Sequence, residues 1–112
     1  MLLSIIASLI ALVSCQDAVS AHPICQFEVR ADAKEIQRRF EQVSDTHRLD
    51  FSHQASLEPP PNRHDMFGLN GRGVEVLARD PFERGNFVIS VYSNQAGMTL
   101  ASDLCANSAL QG

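Results

Sequence analysis

The chain has 112 residues, 20% of them charged and 45% hydrophobic, and carries a formal net charge of −4. That length sets the expectation of one domain, and the composition is neither disordered nor fibrous. The acidic balance argues against a nucleic-acid partner, which needs a basic face against phosphate, and against adsorption to anionic lipid through protein charge alone. Eight of the nine basic residues are Arg, with Lys34 the exception. Arg is the better bidentate partner for carboxylates, and a GC-rich genome gives the same bias.

Met1 to Val13 reads MLLSIIASLIALV, uncharged and interrupted only by Ser4 and Ser8. The run is too short to span a bilayer and has the length of a signal-peptide apolar region. No Lys or Arg precedes it, so either the α-amino group supplies the positive charge or translation starts upstream. A buried core helix is the competing reading, but no polar stripe makes the run amphipathic.

Leu12-Val13-Ser14-Cys15 follows directly and resembles the lipobox of bacterial lipoproteins. The resemblance covers the signal segment and Cys15 only. It implies diacylglycerol on the Cys15 thiol, cleavage just before Cys15 and acylation of the new amino group. Gln16, where Asp would retain the protein, implies transfer to the outer membrane, facing the periplasm. Several acyl chains anchor stably where a single chain is marginal. Val19-Ser20-Ala21 is a rival small-residue cleavage site that would release a soluble periplasmic protein beginning at His22. On the lipobox reading, residues 1–14 are a signal, 15–22 a tether and 23–112 one extracytoplasmic domain.

The chain has three Cys, an odd count for an exported protein. If Cys15 is lipidated or removed, Cys25 and Cys105 remain and can pair, joining the start of the folded part to its end. Two unpaired buried thiols are the alternative. The absence of a Cys-x-x-Cys spacing argues against redox chemistry.

Along the folded part, Cys25, Phe27 and Val29 alternate with polar residues as a first strand. Asp32 followed by Glu35 has capping-box spacing, and Ile36, Phe40 and Val43 recur on one helical face, so a helix is expected over about Ala33–Asp45. Glu35 and Arg39 stand at i,i+4 on its exposed side. Leu49, Phe51, His53, Ala55 and Leu57 alternate as a second strand. Glu58-Pro59-Pro60-Pro61-Asn62-Arg63-His64-Asp65 breaks the pattern, because proline removes ladder donors and fixes φ. Gly68-Leu69-Asn70-Gly71 reads as turn chemistry. Val74, Val76 and Ala78 mark a third strand. Phe87–Tyr92 is a fourth, apolar on both faces and therefore central or covered. Thr99–Cys105 is a candidate short helix. The expected fold is α+β: one amphipathic helix packed on a mostly antiparallel four-stranded sheet (β-α-β-β-β), with a possible short C-terminal helix.

Candidate chemistry is sparse. His22, His47, His53 and His64 lack the i+2 or i+4 partners of a ligand pair, and His53 on an apolar strand face reads as a satisfied half-buried histidine. A free N-terminal His22 would chelate copper through its amine and imidazole, which makes a soluble copper binder the alternative function. Ser52 and His53 are adjacent on a strand and point to opposite faces, so they form no dyad. Gly71-Arg72-Gly73 lacks the features of a phosphate loop. No catalytic residue, resident metal or cofactor is expected. The stiff proline-rich segment is the candidate contact surface, presenting Arg63, His64, Met66 and Phe67 to a protein partner, since Met and aromatic residues are enriched at interface cores. Met66 and Phe67 folding back into the core is the competing reading. The expected function is a lipid-anchored, non-catalytic binding module of the cell envelope, an inhibitor or assembly partner of another envelope protein.

Overall fold

The computed structural model describes residues 18–55, 65–82, 84–106 and 108–111. Its elements are β1 (Cys25–Arg30), α1 (Ala33–His47), β2 (Asp50–Gln54), β3 (Met66–Gly71), β4 (Val74–Arg79), β5 (Asn86–Ser93), α2 (Met98–Ala106) and α3 (Ser108–Gln111). The class is α+β as expected, but the sheet has five strands. They lie in the order β1-β5-β4-β3-β2, antiparallel throughout.

The additional strand is β3, where turn chemistry is expected from Gly68, Asn70 and Gly71. Its period-two pattern explains the outcome. Phe67 and Leu69 are each 1% exposed, whereas Met66, Gly68 and Asn70 face the other way. A Cβ at Gly68 would stand 2.7 Å from Ser52 Oγ on the adjacent strand, so a glycine in this strand accommodates a close neighbour. The reversal sits just after it, at Arg72 (φ 53) and Gly73 (φ 79) between β3 and β4. Two consecutive positive φ values make the two-residue turn whose twist matches that of the flanking strands.

One face of the sheet is apolar along most of its extent: Val29, Phe67, Leu69, Val74, Val76, Ala78, Phe87, Ile89 and Val91 are buried there. α1 covers the β2–β3 side with Ile36, Phe40 and Val43, and α2 covers the β4–β5 side with Ala101 and Leu104. Burial of each large side chain contributes about 1.5–3 kcal/mol. β5 lies inside the sheet between β1 and β4, and its second face places half-buried Val88 and Tyr92 along a depression on the side away from the helices.

Helix ends follow local chemistry. The Asp32 carboxylate accepts from Glu35 N–H at 2.8 Å and caps α1. The second half of the expected capping box does not form, because Glu35 turns to Arg38 and Arg39 instead. α1 runs two residues beyond the expected Asp45 and closes at Arg48, whose φ is 57. Arg72 donates to the His47 carbonyl at 3.0 Å, placing a cation on the helix C-terminus. Arg39 donates to the Leu110 carbonyl at 3.3 Å, linking α1 to α3.

Cys25 and Cys105 form a disulfide with an S–S distance of 2.03 Å. It joins the first residue of β1 to α2. The chain arriving from the N-terminus is pinned nearby, with Ser20 N–H bonded to Ser93 O at 2.9 Å and Ile24 N–H to Val91 O at 2.8 Å. Among the described residues, no helix is long and apolar enough to cross a membrane.

Candidate interaction surface at the far end of the sheet

β1 runs from the end where the chain enters, beside Val91, to the opposite end, where Arg30 pairs with Asn86. The sheet therefore has an entry end, which is the tether end on the lipobox expectation, and a far end. β2 ends and β3 begins at the far end, where Gln54 pairs with Met66, and the connection between β4 and β5 starts there at Asp80 and returns at Gly85.

The Asp80–Gly85 connection is held from inside. Asp80 is 7% exposed, and its two carboxylate oxygens accept from Arg84 N–H at 3.2 Å and Gly85 N–H at 2.8 Å. Gly85 has φ 74, a conformation that side chains resist, and its carbonyl accepts from Ala31 N–H at 2.9 Å. A buried carboxylate satisfied by two backbone donors ties Arg84 and Gly85 back to Asp80 and compensates its own desolvation. Beside this tie Phe82 is 73% exposed. The Arg84 guanidinium carbon lies 5.6 Å from its ring centroid, a cation–π contact.

The sheet face away from the helices carries a depression between mid-sheet and the far end. Met66, Leu77 and Val88 floor this depression of about 190 Å³, walled by Gln26, Ser90, Arg79 and Tyr92. Gln26 Nε2 donates to Ser90 Oγ at 2.8 Å. Arg30 and Arg79 stand exposed at this end and make no ion pair among the described residues.

The residues expected to carry the contact fall differently. Arg63, His64 and the three prolines, like Cys15, lie outside the described residues. Met66 is half-buried at the start of β3, flooring the depression. Phe67 corrects the expectation: it is core, not surface. Its ring meets Phe40, Phe51, His53 and Phe87 at centroid distances of 6.4, 6.3, 4.4 and 5.9 Å. Strand alternation turns it inward once β3 pairs with β2 and β4. His53 stacks on that ring at an interplanar angle of 17° and sets Nε2 3.5 Å from Asp65 Oδ1, so the two carry one contact across the base of the proline-rich connection. Ser52 lies on the opposite face, as its neighbouring position requires.

His22 is exposed, and its carbonyl accepts from Ser20 Oγ at 2.7 Å. His47 ends α1 beside Arg72 and Asp103. Among the described residues no three His, Cys, Asp or Glu side chains gather in a metal-holding group. Sequence reasoning missed Phe82. Its signal is an aromatic residue placed inside an Asp-Pro…Gly connection, where Asp caps backbone donors and Gly supplies the positive φ.

No family model matches the chain, and no curated protein or solved structure shows significant similarity to it.

Proposed function

We propose that the protein is a lipid-anchored component of a bacterial cell envelope. It is held through Cys15 at the periplasmic face of the outer membrane and acts by binding another envelope protein, as an inhibitor or assembly partner. The observation that carries this reading is Phe82, a 73% exposed aromatic on a loop tied back to Asp80. A surface aromatic beside backbone that is held in place loses less freedom on binding than one on a free chain, and aromatic anchors supply most of the energy of many interfaces. The anchor reading has a consequence for placement. The segment leading from Cys15 joins the sheet at the end opposite Phe82, so a chain tethered there extends Phe82 toward the periplasm.

Arg84 over the Phe82 ring, with Arg30 and Arg79 nearby, suits a partner whose apolar pocket is edged by carboxylates. Site-specific photocrosslinking in the native envelope tests the reading. A crosslinker at position 82 is expected to give one discrete protein adduct, and a crosslinker at Asp45, exposed near the opposite end of α1, none. Phe82→Ala, with the crosslinker moved to Arg79, should lose the adduct while the melting temperature holds. An undiminished adduct from the Phe82→Ala chain refutes Phe82 as the anchor.

A further inference from the structure

Ile24, Phe82 and Met98 are the large apolar side chains exposed among the described residues. Phe82 belongs to the far end. Ile24 and Met98 stand together at the tether end, 37% and 50% exposed, across one shallow depression. Its remaining lining is Cys25, Cys105, Ser102 and Ala106, so no side chain in it carries a charge.

Chain length places this patch. Ser20 N–H is bonded to Ser93 O at 2.9 Å, and Ser93 Oγ donates to Met98 Sδ at 3.2 Å. Met98 is thus two contacts from a backbone point only five residues beyond Cys15 in sequence. Five extended residues reach at most about 18 Å. A diacylglycerol thioether on Cys15 sits at the level of the lipid head groups, so Ser93 and the patch beside it are confined to the region just above the bilayer. The Cys25–Cys105 bond holds β1 and α2 together, so Ile24 and Met98 approach as one surface.

We infer that the Ile24–Met98 patch is a lipid-contact surface, which seats the domain against the bilayer and fixes its orientation there. This rests on the lipid-anchor reading above and goes beyond it, since an anchored domain need not touch the membrane. The occupant is the interfacial region of neutral phospholipid. The depression offers no cation to an anionic head group, and the net charge of −4 disfavours anionic lipid. Apolar side chains at a head-group boundary add their burial to that of the acyl chains.

The chain has no Trp, which gives a direct test. Met98→Trp and Ile24→Trp each install a single reporter in the patch, and Phe82→Trp installs one at the far end. Each full-length variant is purified from host membranes, its intact mass is recorded, and it is reconstituted into phosphatidylcholine vesicles with or without bromine on the acyl chains near the head group. The Met98→Trp and Ile24→Trp variants should lose most of their emission in brominated vesicles, while Phe82→Trp keeps its own. Acylated protein in which the patch reporters are no more quenched than Phe82→Trp overturns the seating and leaves the anchor intact. A mass without acyl chains on Cys15 overturns the anchor, and the seating falls with it. Equal strong quenching at both ends rejects a fixed orientation and so the inference.

Discussion

Removing the Cys25–Cys105 bond by Cys25→Ala with Cys105→Ala should be the most costly two-site change available outside the core. The two residues are separated by 80 positions. Closing a loop of that length in the unfolded chain removes about 15 cal/mol/K in the chain-entropy treatment, or about 4.5 kcal/mol at 25 °C. A domain of this size is stable by only about 5–14 kcal/mol in total. The loss corresponds to a fall in melting temperature of roughly 20–30 °C. Urea unfolding followed by circular dichroism, in the parent with and without reductant and in the double variant, measures it. The reduced parent and the variant should agree with each other. Their slope against urea should also rise, because an unbridged unfolded chain exposes more surface. A loss below about 1 kcal/mol, with an unchanged slope, would show that the bond does not constrain the unfolded chain and would refute the reasoning.

Phe67→Ala should cost about 3–5 kcal/mol, because it empties a site that four rings surround. Thermal unfolding measures that cost, and a variant as stable as the parent would return Phe67 to the surface. Glu35 carries the expected pH dependence. Hydrogen bonds from Arg38 and then Arg39 hold its carboxyl at about 2, against an ordinary value of 4.5. A depressed carboxylate stabilises the fold above the ordinary value and loses that contribution as pH falls toward the folded one. The melting-temperature advantage of the parent over Glu35→Gln should therefore be constant at neutral pH and close between pH 4.5 and about 2. A gap that persists at pH about 2 contradicts the assignment.

Much of the fold is legible in the sequence because alternation and helical periodicity report burial directly. β1, α1, β4 and β5 stand where those patterns place them, and the disulfide follows once Cys15 is set aside. β3 is hidden because local and non-local signals conflict there. Gly68 and Asn70 favour turns in isolation, and only pairing with β2 and β4 on both sides makes them strand residues. The error carries directly into the site. A turn at Gly68–Gly71 would leave Phe67 on a loop, whereas pairing turns it toward Phe40 and Phe87. Phe82 escapes notice for the opposite reason. An exposed aromatic in a short connection has no periodicity to announce it, and its significance depends on the burial of Asp80, which is a property of the folded chain.

On the proposed anchoring through Cys15, the disulfide has a mechanical as well as a thermodynamic consequence. β1 is an edge strand, paired to β5 alone, and the tether joins it at the Cys25 end. A pull from an anchor at Cys15 would act on that end first and open the ladder one hydrogen bond at a time, the weakest way to load a strand. The Ser20 and Ile24 backbone bonds to Ser93 and Val91 meet the load first, and the bond from Cys25 to Cys105 then transfers it covalently to α2. Because α2 buries Ala101 and Leu104 against the sheet, the load spreads into the core instead of peeling the edge. If the domain holds a partner at one end while anchored at the other, as proposed, it needs that transfer. A disulfide at the first residue of β1 supplies it where a bridge nearer Arg30 would leave the edge strand free to open.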